Sequence, residues 1–442
     1  YSGDRWSDLK IVPGSVGRNE GEIAAVADSG SVAVSLVSDH RSWGGPNFGD
    51  APRNNDVLFA RLRTAEPSAA AQVAPRPPEP PGGLASEPRE KDQVAALRAH
   101  VIDNAGKKLR VYRGDMHRHT EISADGAGDG SLIDAYRYAI DAAALDYLMV
   151  TDHQSGNQEY TWWRTQKSAD LFHIPGVFTA LYGTERSLPY PNGHRNLIFA
   201  RRGVRILPIT PAEQKSATGP VLYPYLKKNS GLATSHTSHT NMGTDWRDND
   251  PELEPIVEIF QGARTSAEQE GAPLSPTEKR TELWAGGYRP LGFLSNAWAK
   301  GYKLGVQASS DHVSTHTSYA CVLAEENSRD ALVDAMRKRH TYGATSNILV
   351  DYRVNQTHIQ GDELSASAPP DLSARIVGTG PLSRVVVVRD NEAIYSQQPQ
   401  HEFFDLRYRD NAAKPGKHYY YLRVEQKDGN VAWSSPVWVN LR

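Results

Sequence analysis

Residues 110–153 constrain the possible fold and function of this chain more than any other stretch. This stretch opens with a β-prone run that brings His117 and His119 to the same side of an extended chain, because strand side chains alternate with a period of two. Two imidazoles on one face can bind one metal ion. A Gly/Asp/Ser loop carrying Asp125 follows, then apolar residues at helical spacing and a second β-run that leads to His153. The pattern predicts a strand, a helix and a strand with metal ligands after both strands.

Two motifs in this stretch resemble those of the polymerase-and-histidinol-phosphatase (PHP) superfamily of metal-dependent phosphoesterases. The residues that carry the resemblance are Asp115-Met116-His117-Arg118-His119-Thr120, the following Ser123-Ala124-Asp125-Gly126, and Thr151-Asp152-His153. With later motifs, the resemblance extends over roughly residues 110–346. It implies an α/β fold, a distorted (β/α)7 barrel of the PHP type, that holds up to three metals.

Two further positions follow the order of ligands in that superfamily. A β-prone run over 177–182 leads to Glu185, and a second run is entered through His194. The superfamily has a metal-bridging Glu at this strand end and a His about ten residues later. A bridging carboxylate is physically reasonable, because its two oxygens can hold two cations about 3.5 to 4 Å apart.

The last ligands leave alternatives open. One β-run ends at His236, with His239 three residues later and no proline after either, although the superfamily usually has one His in a His-Pro context. We predict His236 as the ligand, because it closes the run, and keep His239 as an outer or substrate-side group. The final motif of the superfamily resembles Asp311 followed directly by His312, with His316 as a more distant candidate. Adjacent strand residues point apart, so both can serve one cluster only if the strand ends before them.

The resemblance also implies how the ligands are shared. One metal would take His117, His119, Glu185 and Asp311, a second Glu185, His194 and His236, and a third Asp125, His153 and His312. Nine candidates are too many for one ion, and nitrogen and oxygen donors without thiolate suit two to three divalent ions of Mn, Zn or Fe.

The reaction that we expect is hydrolysis of a phosphate monoester or diester by a hydroxide held between metals. Glu185 and Asp311 are the predicted catalytic residues, together with Arg264, which either clamps an anionic substrate or is an ordinary surface arginine. One alternative is hydrolysis of a sulfate, carboxylic or phosphotriester substrate at the same metals. Another is a glycan or cell-surface binding module whose metals are structural.

Four regions are predicted from composition and pattern. Residues 1–64 are β-rich and resemble one blade of a sialidase-like β-propeller, or form an isolated β-extension; residues 65–92 are a proline-rich linker. Residues 93–346 carry the barrel motifs, and residues 347–442 alternate as in an antiparallel β-sandwich. The chain begins at Tyr1 without Met, which indicates a processed or truncated chain.

Composition excludes several classes of function. With 49 basic and 52 acidic residues and a net charge of -3, the chain has no basic field that indicates nucleic-acid binding. No apolar run is long enough to span a bilayer. The single cysteine, Cys321, excludes an internal disulfide and does not identify the compartment. The expected partner is a small phosphate ester, and the sequence leaves the oligomeric state open.

Overall fold

The computed structural model describes most of the 442-residue chain. The described residues are 12, 20–28, 30–38, 56–63, 89–123, 125–126, 128–153, 159–214 and 216–442. They belong to two compact units, residues 1–90 and residues 91–442. Residues 1–11, 13–19 and 39–55 of the predicted β-rich segment and nearly all of the proline-rich linker lie outside the described residues.

The described part of the first unit contains a three-stranded antiparallel sheet. Its strands, in spatial order, are β1 (Glu20–Asp28), β2 (Ser31–Ser38) and β3 (Asp56–Arg63). The central strand buries Ala33, Val34 and Leu36. The described part of residues 1–64 therefore contains β-strands.

A large mixed sheet organises the second unit. Its first part is formed by β4 (Val101–Asn104), β5 (Lys107–Arg118), β6 (Tyr147–Val150), β7 (Thr179–Ser187), β8 (His194–Phe199), β9 (Leu232–Ser235), β10 (Ile256–Gln261), β11 (Gly305–Ser309), β12 (Tyr319–Ala324) and β13 (Thr341–Ala344). The spatial order runs from β11 in descending number to β5 and then continues to β12 and β13.

The directions of these strands bring the ends of β5, β6, β7, β9, β10 and β11 to one edge of the sheet. The pairs β5–β6, β6–β7, β9–β10 and β10–β11 are parallel, whereas β8 is antiparallel to both neighbours. The connection over residues 188–193 is too short for a crossover helix, so β7 and β8 form a hairpin and not a βα unit. The beginning of β8 consequently lies at the same edge as the end of β7.

The helices cover the connections between the strands. They are α1 (Glu90–Ala99), α2 (Leu132–Arg137), α3 (Glu159–Phe172), α4 (Gly219–Lys228), α5 (Leu294–Ala299) and α6 (Arg329–Arg337), with a π-helix at Tyr138–Ala142 and 3-10 turns at Thr281–Leu283 and Pro290–Gly292. Ser131 and Ser328 cap α2 and α6 by accepting backbone N–H bonds. Among the described residues, none of the helices is long and apolar enough to cross a membrane.

The fold is mixed α/β, as predicted, but the strand pairing among the described residues does not close into a barrel. The end of β5 meets the segment after β11 in one isolated parallel bridge between Arg118 and Asp311, where Asp311 N donates to His117 O at 2.8 Å. The expectation of a closed seven-stranded barrel is therefore not confirmed.

The C-terminal region is rich in β-structure, as predicted. Its strands are β14 (Leu349–Val354), β15 (His358–Ile359), β16 (Glu363–Ala366), β17 (Asp371–Val377), β18 (Leu382–Arg389), β19 (Glu392–Gln397), β20 (Phe403–Arg409), β21 (Gly416–Gln426), β22 (Val431–Ser434) and β23 (Val437–Leu441). Four of them, in the order β15-β14-β17-β20, form a separate antiparallel sheet. β22 pairs with β13, so the remaining strands extend the large sheet, and β16 pairs with β23 in parallel. Both sheets contribute side chains such as Ile376 and Leu422 to one buried apolar cluster.

Candidate metal centre

Two histidines at the end of β5 form the centre of the site. His117 and His119 point to the same side, and their Nε2 atoms lie 3.2 Å apart. Glu185 Oε2 lies 3.2 Å from the first of these nitrogens and 3.0 Å from the second, and Asp311 Oδ1 lies 3.4 and 3.1 Å from them. Four ligands bonded tetrahedrally at about 2.05 Å to one ion are separated by about 3.3 Å. The two nitrogens lie at about this separation from each other and from each of the two carboxylate oxygens, and all four side chains are buried. The donor atoms of His117, His119 and Asp311 all lie within 4.8 Å of one another.

The second oxygen of Glu185 faces a different set of histidines. Oε1 lies 2.5 Å from His194 Nδ1, 3.2 Å from His236 Nε2 and 3.4 Å from His153 Nδ1. Among the described residues, His236 Nε2 is buried and makes no hydrogen bond, so its geometry toward Glu185 suits a shared cation better than a proton. The carboxylate of Glu185 thus divides its oxygens between two groups of imidazoles, which is the arrangement expected of a bridging ligand.

Asp125 lies at the outer side of the cluster. Its Oδ2 is 2.9 Å from His153 Nε2 and 3.4 Å from His312 Nε2, and its side chain is half-exposed. The donor atoms of His119, Asp125 and His153 lie within 4.8 Å of one another, as do those of His153, Glu185 and His194. The structure therefore brings all nine predicted ligands together, but His119 stands closer to the third group than the sequence analysis assigned it.

Because β11 ends before Ser310, Asp311 and His312 can face one cluster. The strand ends at Ser309, and Asp311 adopts a left-handed φ of 61°. Asp115 on β5 holds this turn, since its carboxylate accepts hydrogen bonds from Ser310 N at 3.3 Å and from Ser310 Oγ at 2.5 Å. The condition set by the sequence, a strand that ends before the pair, is met.

Several side chains that the sequence analysis did not identify contact the Nδ1 atoms of the candidate ligand histidines. Glu258 Oε2 lies 3.0 Å from His117 Nδ1, and Asp129 Oδ2 lies 2.7 Å from His312 Nδ1. Ser123 Oγ lies 2.7 Å from His119 Nδ1. Such partners fix the tautomer and the ring orientation of a metal-binding histidine. The only sequence signal for Glu258 is a charged residue inside an otherwise apolar strand run, since β10 reads Ile-Val-Glu-Ile-Phe-Gln.

Strong electrostatic coupling accompanies this geometry. Burial opposes charge on His119, but the carboxylates of Asp311 and Glu185 outweigh it and raise its pKa to about 10. Burial would likewise raise the pKa of Glu185, yet His236, His117 and the other imidazoles hold it well below its usual value. Burial, together with the nearby His117, lowers the pKa of His236 to about 4. The carboxylates are thus ionised, and protons on some imidazoles occupy positions that a cation would take.

The alternative ligand candidates, His239 and His316, make other contacts. His239 Nε2 is 2.9 Å from Thr265 Oγ1 and its ring stacks on Phe293, while His316 Nδ1 is 2.7 Å from the Tyr138 hydroxyl. Arg264 stands in the turn after β10, and among the described residues no ion pair joins it to the cluster. Its Nε is buried without a hydrogen-bond partner there. The predicted role of Arg264 as an anion clamp stays a prediction.

Comparisons with known proteins give relatives without an assigned activity. The family model described as "Protein of unknown function (DUF3604)" matches residues 141–271 and 294–355. Uncharacterized proteins of Chlamydia muridarum and Chlamydia trachomatis are each 25% identical, over 357 and 359 residues. Each match covers 71% of this chain and 55% of the relative, so the chain spans about half the length of these curated relatives.

One solved structure matches most of this chain at low sequence identity. A two-domain protein of Bacteroides vulgatus, described as containing a predicted PHP-like metal-dependent phosphoesterase, is 14% identical to this chain with a TM-score of 0.40. The match covers 76% of this chain and 97% of that protein.

Proposed function

We propose that this chain is a metal-dependent hydrolase of phosphate monoesters or diesters. The observation that carries the proposal is the carboxylate of Glu185, whose Oε2 faces His117 and His119 and whose Oε1 faces His194 and His236. A carboxylate that faces two groups of imidazole nitrogens is suited to two adjacent cations. Paired cations of this kind are used in hydrolytic displacement at phosphorus.

The ligand assignment in this proposal is the one that the sequence resemblance implies. The first ion is held by His117, His119, Glu185 and Asp311; the second by Glu185, His194 and His236; and a third, outer ion by Asp125, His153 and His312. Nitrogen and oxygen donors without sulfur favour Mn, Zn or Fe. When bound, these ions lower the pKa of a coordinated water and neutralise charge on the phosphoryl oxygens.

The chain's own residues supply orientation and a dry environment. Glu185 and Asp311 are buried, and the neighbouring imidazoles lower the pKa of both carboxyl groups, so the two carboxylates would hold cations in place without rearrangement. Glu258 and Asp129 orient His117 and His312 through the ring nitrogens that face away from the metals. We further propose that residues 93–346 form the catalytic unit as an open variant of the PHP-type barrel. Residues 347–442 would then be the adjoining β-domain.

The decisive experiment compares Glu185→Gln with His239→Ala. Gln keeps the size of the side chain but removes the charge that allows two cations to sit close together, so we expect turnover to be lost and metal content to fall together. His239→Ala is the matched control, because His239 contacts Thr265 and Phe293 and lies outside the proposed ligand set. Metal stoichiometry by elemental analysis and turnover of an aryl phosphate monoester and diester would be measured for both variants.

The outcomes separate the ligand assignment from the function. Full activity in Glu185→Gln would contradict the bridging role. Loss of metal in His239→Ala but not in His236→Ala would transfer the ligand to His239 and keep the function. A metal-loaded wild-type protein that cleaves sulfate or carboxylic esters but no phosphate ester would refute the proposed substrate class.

A further inference from the structure

Three segments form one rim beside the ligands His194 and His236. These are the hairpin loop over 188–193, the segment over 237–246 that follows β9, and the loop over 284–293. Backbone hydrogen bonds join them: His194 N donates to Met242 O at 2.7 Å, Tyr190 N to Asn241 O at 3.0 Å, and Asn241 N to Gly286 O at 2.9 Å. The rim is thus connected directly to the ligand-bearing ends of β8 and β9.

The third segment is packed closely against the second. Arg289 N donates to His239 O at 2.7 Å. A Cβ placed on Gly292 would lie 1.8 Å from the Ser238 carbonyl oxygen, so only glycine permits this approach. Backbone contacts therefore determine the position of Arg289 relative to the segment after His236.

The guanidinium of Arg289 is held in one orientation on this rim. Its Nε donates to Asn241 Oδ1 at 2.9 Å, and its Cζ lies 5.0 Å above the ring of Tyr190. Among the described residues, no carboxylate lies within ion-pair distance of Arg289, and its Nη groups make no hydrogen bond there. The side chain is exposed. It therefore presents its two Nη groups, and a positive charge that has no carboxylate partner among the described residues, to solvent on this rim.

A second arginine, Arg247, directly follows one segment of the rim and provides a contrast. Arg247 makes hydrogen bonds from Nε and Nη2 to the two carboxylate oxygens of Asp245, both at 2.9 Å. Its charge is consequently neutralised within the protein. Of the two arginines, Arg289 is the one that is free to bind an anion from solution.

We propose that Arg289 binds an anionic group of the substrate other than the phosphoryl group that reacts. This inference rests on the proposed function, because it assumes that the phosphoryl group occupies the metal centre. The natural substrate would then be an organic phosphate that carries a second acidic group, either a carboxylate or a further phosphate. Arg289 is a specificity-determining residue and not part of the metal-binding machinery.

Binding of non-hydrolysable phosphonates tests this inference without requiring turnover. Metal-loaded protein would be titrated by calorimetry with ω-phosphonocarboxylates of increasing chain length and with alkylphosphonates of the same lengths. We expect the wild-type protein to bind one of the carboxylated compounds about tenfold more tightly than its uncharged counterpart, with the preference shrinking in added KCl. Arg289→Gln should remove the preference, while Arg247→Gln, the matched control, should retain it.

Each result supports or contradicts the role of Arg289. Absence of a preference in the wild-type protein at every length would overturn it, as would a preference that survives in Arg289→Gln. Equal weakening of both series in Arg289→Gln would assign the arginine to the phosphonate itself and also overturn it. If the preference depends on Arg289 but no phosphate ester is hydrolysed, the proposed function fails and the anion site stands.

Discussion

The contact between Glu258 and His117 allows a quantitative test of the metal centre. Glu258 is fully buried in β10; its Oε2 lies 3.0 Å from His117 Nδ1 and accepts from Ser309 Oγ at 2.6 Å, and its Oε1 accepts from Gln261 Nε2 at 2.9 Å. To bind a cation through Nε2, His117 must carry its proton on Nδ1. A carboxylate opposite Nδ1 stabilises that tautomer and makes Nε2 a stronger donor.

Replacement of Glu258 by Gln keeps the shape of the side chain and removes its charge. Loss of such an outer partner lowers metal affinity by about 10-fold to 100-fold, which corresponds to about 1.4 to 2.7 kcal/mol. A second effect opposes the first at neutral pH. Although burial disfavours charge on His117, the carboxylates of Asp311, Glu258 and Glu185 raise its pKa well above the usual value, so a metal must displace a proton. Without the charge of Glu258 this proton is released more easily.

The expected loss of affinity in Glu258→Gln is therefore about tenfold near pH 7 and larger at higher pH. Competition with a chromogenic chelator, titrated between about pH 7 and 9, would measure it. Glu268→Gln is a suitable control, because Glu268 is equally buried but contacts Tyr421, Arg423 and Trp433. Affinity within threefold of wild type, or an equal loss in Glu268→Gln, would refute the reasoning.

Three other predictions follow from the same contacts. The apparent metal affinity should rise with pH, because the carboxylates around His119 keep it protonated in the metal-free protein; calorimetry in buffers of different ionisation enthalpy would count the protons released. Asp125→Ala should remove no more than one ion per chain by elemental analysis, since Asp125 contacts His153 and His312, the two other ligands proposed for the outer ion. Glu254→Gln should lower the free energy of unfolding in urea by about 3 kcal/mol, because it weakens the buried pair with Arg195, and metal content of the folded variant should also fall.

The candidate metal centre was largely predictable from the sequence, because its candidate ligands follow local rules. His117 and His119 share a face through the period of a strand, and the other candidates stand at or near the ends of β-runs that the structure confirms, among them Tyr147–Val150. Strand ends of common direction meet at one edge of a sheet, so residues far apart in the chain could be assigned to one cluster. The identity of the metals and the role of Arg264 stay predictions.

The contacts that orient the histidines could not be derived from local sequence patterns. Glu258 is 141 residues away from His117 in the chain, and nothing in the local pattern shows which histidine it faces. The hairpin of β7 and β8 was also not predicted, since the sequence analysis assigned the two β-runs but not their direction relative to each other. That hairpin nevertheless brings His194 to Glu185, because the first residue of an antiparallel strand stands beside the end of its partner.

The end of β11 shows how the first motif determines the geometry of the last. Asp311 and His312 face one cluster because the chain leaves the strand after Ser309 and turns through a left-handed residue, a conformation that Asp tolerates better than most residues. The turn is held by Asp115, which accepts from both Ser310 N and Ser310 Oγ, and by the bond from Asp311 N to His117 O. Asp115 belongs to the same motif as His117 and His119, but among the described residues it is not part of any group that could hold a metal ion. Its hydrogen bonds connect the turn that carries Asp311 to the strand that carries His117. The position of Asp311 therefore depends on β5 as much as on β11.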